Sequence, residues 1–89
     1  MTYTIDFRPK ALKSLSRLDK TAQKRIQDFL DKKIVPAKNP RLLGKPLQGP
    51  LKNLWRYRVG DYRIICKIED QALVVLVVAV GHRKDVYDT

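Results

Sequence analysis

The sequence of 89 residues predicts a small α+β domain, in which a helical hairpin packs on a mainly antiparallel four-stranded sheet. Two observations carry this prediction. Apolar residues recur at helical spacing in two consecutive segments near the N-terminus, whereas the C-terminal half consists of β-rich runs separated by short turns. The predicted element order is β-α-α-β-β-β, and a chain of this length favours one domain that spans residues 1–89.

The N-terminal segment begins with alternating, β-rich residues from Thr2 to Phe7, which predict the first strand. Pro9 suits the first turn of a helix, and apolar residues follow it at helical spacing up to Leu18. A break falls near Asp19, and a second amphipathic helix follows it. The apolar stripe of that helix contains Ala22, Ile26, Phe29 or Leu30, and Ile34. Two short amphipathic helices in succession predict a helical hairpin.

The remaining segments predict a surface loop followed by three strands. Residues 36–50 hold four of the five prolines and two of the four glycines, which predicts an ordered loop without regular secondary structure. The runs 54–59 and 62–69 flank Gly60-Asp61, a pair typical of the type II′ turn of a β-hairpin. The run 73–80 is nearly continuous in β-branched residues, which predicts a central strand buried on both faces.

Composition and charge restrict the class of protein. The hydrophobic content of 44% argues against a disordered chain, and the net charge of +10 favours a polyanionic partner such as nucleic acid, an anionic membrane surface or an acidic protein. A single cysteine excludes an intramolecular disulfide. The N-terminus does not resemble a signal peptide, and the longest apolar run, 72–80, is too short to span a bilayer as a helix. We therefore expect a cytoplasmic protein without membrane contacts.

Alternation of side chains along the hairpin strands predicts a basic face on the sheet. In the predicted register Arg58 lies opposite Arg63, and Val59 lies opposite Tyr62. One face then carries Trp55, Tyr57, Ile64 and Cys66 towards the helices, and the other carries Arg56, Arg58, Arg63 and Lys67. Two like charges directly opposite each other are destabilising by about a few tenths of a kcal/mol. A bound phosphate would offset this repulsion, because guanidinium groups pair bidentately with phosphate oxygens.

The charge balance around these strands supports the phosphate hypothesis. From residue 41 to residue 67 the only acidic residue is Asp61, in the turn, so no carboxylate is expected within the basic cluster. The alternative interpretation is an ordinary solvated face of a basic protein. A metal site is not expected, because one histidine, one cysteine and scattered aspartates do not provide ligand spacing. The sequence also lacks a glycine-rich phosphate loop.

Two motifs resemble the RelE family, the toxins of type II toxin–antitoxin systems within the RelE/ParE superfamily. They are WRYRVGDYRII at residues 55–65 and VGHRKDVY at residues 80–87, and the resemblance extends over essentially the whole chain. It implies an endoribonuclease that enters the ribosomal A site and cleaves mRNA by attack of a 2′-OH on the adjacent phosphate, without a metal or other cofactor. It also implies a tight complex with a RelB-type antitoxin, as a heterodimer or a heterotetramer, which binds operator DNA through the antitoxin only.

The resemblance assigns roles to individual residues. The arginine after the hairpin turn matches Arg63 and the arginine after the last strand matches Arg83; both are candidates for stabilising the transition state. The tyrosine near the C-terminus matches Tyr87 and is the candidate proton carrier, with His82 as the alternative. The expected RNA-binding or phosphate-binding residues are Lys52, Arg56, Arg58 and Lys67. Arg56 and Arg58 stand where some relatives have lysines, and an arginine is a poor general base because its pKa exceeds about 12.

Two other functions remain open at this point. A ParE-type inhibitor of DNA gyrase would have the same fold, although the intact GHRKDVY motif favours a ribonuclease. A basic module that binds RNA without cleaving it would have the same charge. Cleavage of ribosome-bound mRNA separates the ribonuclease from both alternatives.

Overall fold

The computed structural model, which describes residues 2–47, 49 and 53–82, has the α+β architecture that the sequence predicts. The elements in chain order are β1 (Thr4–Phe7), α1 (Pro9–Ser16), α2 (Lys20–Phe29), β2 (Lys45–Pro46), β3 (Leu54–Val59), β4 (Tyr62–Glu69) and β5 (Val74–His82). A π-helical turn, Leu30–Ile34, follows α2, and a 3₁₀ turn, Pro40–Leu43, precedes β2. The helical hairpin and the β-hairpin of the sequence analysis are both confirmed.

The sheet has the strand order β1-β5-β4-β3-β2. All neighbouring strands are antiparallel except β1 and β5, which run parallel. The sheet therefore contains five strands rather than the predicted four. The additional strand, β2, lies in the segment that was expected to lack regular structure. It forms because the free edge of β3 offers backbone partners to Lys45 and Pro46, and an edge position tolerates proline.

The second helix begins and continues as its sequence suggests. The side chain of Asp19 caps it by accepting a hydrogen bond from the backbone N–H of Ala22 at 2.7 Å. Ala22 and Ile26 are buried in the helix, and Leu30 and Ile34 are buried in the π turn that continues it. The apolar stripe thus passes through Leu30, while Phe29 is only half-buried.

Both helices pack on one face of the sheet. The core joins Ala11, Leu15 and Ile26 of the helices to Tyr57, Ile64, Cys66, Val75 and Val77 of the strands. The prediction that β5 is buried on both faces is therefore half wrong. Val75, Val77 and Val80 are buried, whereas the other residues of 74–80 are half-buried, because both described helices pack on the opposite face.

A β-bulge interrupts the pairing of β4 with β5. Ile65 pairs with Ala79 and Cys66 with Val77, so Val78 is an extra residue on β5. A bulge of one residue reverses which face each later side chain occupies. The residues of β5 after the bulge, up to His82, are consequently on the face opposite to the one that uninterrupted alternation would assign.

Along the part of the chain that the structure describes, no helix is both long enough and apolar enough to cross a membrane.

Candidate functional site

The β-hairpin places its arginines as the alternation of side chains predicts. Arg58 pairs with Arg63 across β3 and β4, and Val59 pairs with Tyr62. Gly60 has a positive φ of 59° whereas Asp61 does not, as a type II′ turn requires. The predicted register and the predicted basic face are therefore confirmed.

A cleft of about 300 Å³ lies on this basic face, next to the edge of β3. It is lined by Leu42, Leu43, Gly44, Lys45, Arg56, Arg58 and Arg63, and we call it the arginine cleft. Four of these residues are cationic, and none of the lining residues within the described ranges is acidic. Arg58 is exposed, Arg56 and Arg63 are half-buried, and the Nη1 atom of Arg63 is almost fully shielded from solvent. A concave surface of one charge concentrates the electrostatic potential and attracts anions.

The loop that forms one wall of this cleft is held closely against β3. The hydroxyl of Tyr57 donates a hydrogen bond to the backbone oxygen of Pro40 at 2.7 Å. A Cβ atom on Gly44 would lie 2.5 Å from the backbone oxygen of Arg56 and 2.8 Å from Cε1 of Tyr57, so a larger residue does not fit there without movement of the backbone. Lys45 pairs with Arg56 as part of β2. These contacts bring the loop beside the arginines.

A second cluster holds the other side of the same loop. The guanidinium of Arg41 donates two hydrogen bonds to the carboxylate of Asp70, at 2.8 and 2.7 Å, and the hydroxyl of Tyr3 donates a third at 2.9 Å. Arg41 also lies over the ring of Trp55, with 5.9 Å between Cζ and the ring centroid. We call these four residues the Asp70 cluster. The hydrogen bonds from Arg41, and then from Tyr3, lower the pKa of Asp70 to about 2.

The expectation that no carboxylate neutralises the basic segment is wrong in two places. Arg41 forms the ion pair with Asp70, and Lys67 forms an ion pair with Glu69 at 3.3 Å. Both carboxylates lie just beyond the 41–67 segment in sequence. Lys67 is on the arginine face, where it pairs with Leu54 across the hairpin, but it does not line the cleft.

His82 is not on the arginine face. It pairs with Tyr62 across β4 and β5, and the two rings are in an edge-to-face contact at 6.0 Å and 79°. Side chains that pair directly share a face, so His82 shares the face of Tyr62, and Gly81 is the residue opposite Arg63. The structure thus separates His82 from the arginines. The other predicted site residues, Lys52, Arg83 and Tyr87, lie outside the described residues.

The sequence analysis did not identify the loop as part of the site. Leu42, Leu43 and Gly44 line the cleft although their segment was interpreted only as a surface loop. Two adjacent leucines in an otherwise polar, proline-rich segment were the available signal. Within residues 2–47, 49 and 53–82, no group of three or more His, Cys, Asp or Glu side chains is arranged to hold a metal ion.

Comparisons with known proteins identify the family. The sequence model of the family described as "ParE toxin of type II toxin-antitoxin system, parDE" matches residues 5–87. Toxin RelG of Mycobacterium tuberculosis is 30% identical over 87 residues, which are 98% of this chain and 98% of that protein. The mRNA interferase toxin RelE of Escherichia coli K12 is 33% identical over 86 residues, which are 94% of this chain and 86% of that protein.

A solved structure leads to the same result. The toxin–antitoxin complex RelBE2 of Mycobacterium tuberculosis contains a chain that superposes with a TM-score of 0.79 at 28% identity, covering 93% of this chain and 100% of that one. The fold, the relatives and the two motifs agree over nearly the full length. The chain therefore belongs to the RelE family of type II toxin–antitoxin toxins, within the RelE/ParE superfamily.

Proposed function

We propose that this toxin is a ribosome-dependent endoribonuclease that cleaves mRNA in the A site and thereby inhibits translation. The observation that carries the proposal is the arginine cleft, whose four cationic lining residues suit a phosphodiester backbone. The relative from Escherichia coli that is named an mRNA interferase supports the same activity.

The chemistry uses a nucleophile that RNA itself provides. The 2′-oxygen forms a bond to the adjacent phosphorus while the bond from phosphorus to the 5′-oxygen breaks, which leaves a 2′,3′-cyclic phosphate and a 5′-OH. One proton leaves the 2′-OH and another reaches the 5′-oxygen. In our proposal Arg63 and Arg83 stabilise the extra negative charge of the transition state. The RNA backbone is bound by the remaining cationic residues of the proposal, which are Lys45, Lys52, Arg56, Arg58 and Lys67.

Tyr87 is the proton carrier in this proposal. A tyrosine has a pKa of about 10 in model peptides, and cations placed beside a phenol would favour its phenolate. A general base must come within about 3 Å of the proton that it removes. The contact of His82 with Tyr62, on the face away from Arg63, weighs against His82 in this role. Because guanidinium groups supply the positive charge, the proposed reaction needs no metal ion.

The proposal includes the partners of the toxin. A RelB-type antitoxin would neutralise it, in keeping with the toxin–antitoxin complex whose chain superposes on this one. The cationic cleft is complementary to an acidic segment as well as to RNA. Operator DNA would be reached only through the antitoxin, and the cytoplasm, where translating ribosomes occur, is the proposed location.

The decisive experiment adds the full-length toxin to an mRNA, with and without programmed ribosomes, and maps the 5′ ends of the products. We expect cuts at the A-site codon only when ribosomes are present. A 2′-O-methyl group on the nucleotide before the cut should abolish the cut at that position. The variants Arg83→Ala and Tyr87→Phe should each lower the rate at least about 100-fold without loss of antitoxin binding. Intact mRNA on ribosomes treated with the wild-type toxin would refute the proposal.

Inhibition of DNA gyrase is the second candidate, because the family model that matches this chain is described as a ParE toxin. A supercoiling assay with purified gyrase tests it directly. Loss of supercoiling together with intact ribosome-bound mRNA would favour gyrase as the target. RNA that is bound but remains uncut, with normal supercoiling, would indicate a non-catalytic RNA-binding module.

A further inference from the structure

Two adjacent leucines expose apolar surface beside the cationic lining of the arginine cleft. Leu42 is 81% exposed and Leu43 is 48% exposed. Single exposed leucines are ordinary on protein surfaces, and Leu12 of α1, at 52%, is one of them. Leu42 and Leu43 differ from Leu12 because both line the same cleft as three arginines and a lysine.

The exposure of these leucines is imposed by the contacts of the loop. Asn39 begins the 3₁₀ turn by accepting a hydrogen bond from the backbone N–H of Arg41 at 3.1 Å. The Asp70 cluster then holds the side chain of Arg41, and the close approach of Gly44 to β3 holds the other end of the turn. With both ends attached, the two leucines between them stay exposed in the lining of the cleft.

The lining therefore has two chemical parts. We call its cationic side chains the floor and its two exposed leucines, Leu42 and Leu43, the lip. A free phosphate or a sugar–phosphate backbone would use the floor alone. A nucleotide has an anionic phosphate and, next to it, a base with flat apolar faces, so it can use both parts. The cleft volume of about 300 Å³ is also at the lower end of the range for small-ligand sites, about 300–1,000 Å³.

We propose that Leu42 and Leu43 form a base-contacting lip. The base of a single-stranded RNA nucleotide packs on them while the phosphate of the same nucleotide binds the arginines. This inference rests on the proposed function and deepens it, since it assigns base recognition to a loop outside the two motifs. Burial of the base face against the leucine side chains provides affinity that depends on the base being present.

A binding experiment tests the lip independently of cleavage. The full-length toxin is titrated with a short single-stranded RNA and with an abasic ribose–phosphate chain of the same length. We expect wild-type toxin to prefer the base-bearing RNA by about tenfold. Leu42→Ser and Leu43→Ser should reduce this preference towards one, with unchanged affinity for the abasic chain. Leu12→Ser is the matched control and should keep the wild-type preference.

Two results would refute the proposal that an RNA base packs on Leu42 and Leu43. The first is a preference for base-bearing RNA that is the same in wild type, Leu42→Ser and Leu43→Ser. The second is a loss of antitoxin affinity in these variants with an unchanged RNA preference, because that result would make the leucines a protein-binding surface. Urea unfolding of each variant verifies folding, and Leu42→Ala replaces Leu42→Ser if the serine variant does not fold.

A cleavage experiment separates the lip from the proposed function. On programmed ribosomes, Leu42→Ser should raise the toxin concentration for half-maximal rate about tenfold, with a smaller change in the maximal rate. If wild-type toxin cuts and this variant behaves as wild type, the lip is refuted and the ribonuclease stands. If wild-type toxin does not cut, the ribonuclease is refuted, and the abasic comparison still decides the lip.

Discussion

The Asp70 cluster and the arginine cleft lie on two sides of one loop and use arginine in different ways. In the Asp70 cluster, Arg41 meets a carboxylate in a bidentate pair and an aromatic ring on one side. In the cleft, Arg58 and Arg63 lie directly opposite each other, and the described lining contributes no acidic side chain. An arginine that faces a carboxylate holds its segment of the chain in position. An arginine that is surrounded by other cations instead attracts an anion.

Stability alone does not account for the arginines of the cleft. Opposed like charges on neighbouring strands weaken a sheet by about a few tenths of a kcal/mol per pair. The exposed ion pair of the Asp70 cluster contributes little to stability because solvent screens it, so its main effect is to fix the geometry of the loop. The two regions therefore make separable contributions, one to folding and one to binding, and substitutions should separate them.

The largest expected effect concerns Arg63. Arg63→Ala should lower the rate of ribosome-dependent cleavage by about 100-fold, because it removes a charge that our proposal places at the transition state. Any change in the free energy of unfolding should be far too small to account for this loss of cleavage, and urea unfolding of the same variant measures it. Arg41→Ala is the comparison and should show the reverse, with stability lowered by up to about 1 kcal/mol and cleavage reduced far less. Equal losses of cleavage in the two variants would contradict the division between the regions.

A smaller effect concerns the pH dependence of stability. The pKa of Asp70 is lowered in the folded protein from 3.8 to about 2, so its ion pair stabilises the fold above about pH 4, and this contribution is lost as the pH falls through 2. Asp70→Asn should therefore be less stable than wild type by a constant amount near neutral pH, and the difference should shrink as the pH falls from 4 towards 2. Urea unfolding at each pH measures this difference.

A double mutant identifies the source of the acid dependence. Arg41→Gln removes the partner of Asp70 and should show the same acid dependence as Asp70→Asn. The double variant should add little to either change, because both substitutions remove one interaction. Additive losses would show that Asp70 stabilises the fold mainly through Tyr3.

The smallest expected effect is a gain in stability. Arg58→Thr removes one of two opposed charges from β3 and introduces a β-branched residue, so the free energy of unfolding should rise by a few tenths of a kcal/mol, roughly 0.2–0.5. The gain should decrease in high salt, where exposed charges are screened. Lys67→Thr on the neighbouring strand is the matched control. It introduces the same β-branched residue but breaks the ion pair with Glu69 instead of relieving a repulsion, so its gain should be smaller than that of Arg58→Thr. A stability loss in Arg58→Thr would mean that the cleft arginines support the fold.

The amino-acid sequence by itself determined the fold class, the two helices, the hairpin register and the face that carries Arg56, Arg58 and Arg63. These features follow from local rules. Helical periodicity defines the buried stripes, Gly60-Asp61 sets the turn, and a turn of two residues sets which side chains lie opposite each other. The family motifs then indicated what kind of protein carries such a face.

Only the tertiary structure decided how distant segments complete the site. Arg41 and Asp70 are 29 residues apart, and their pairing depends on the path of the loop along the edge of β3. The bulge in the β4–β5 pairing turned His82 towards Tyr62, although unbroken alternation along β5 would have placed it with the arginines. The alternation of side chains is a local property of one strand. The pairing of strand edges, β-bulges and loop contacts arise from long-range packing. A pattern within a single segment therefore does not predict them.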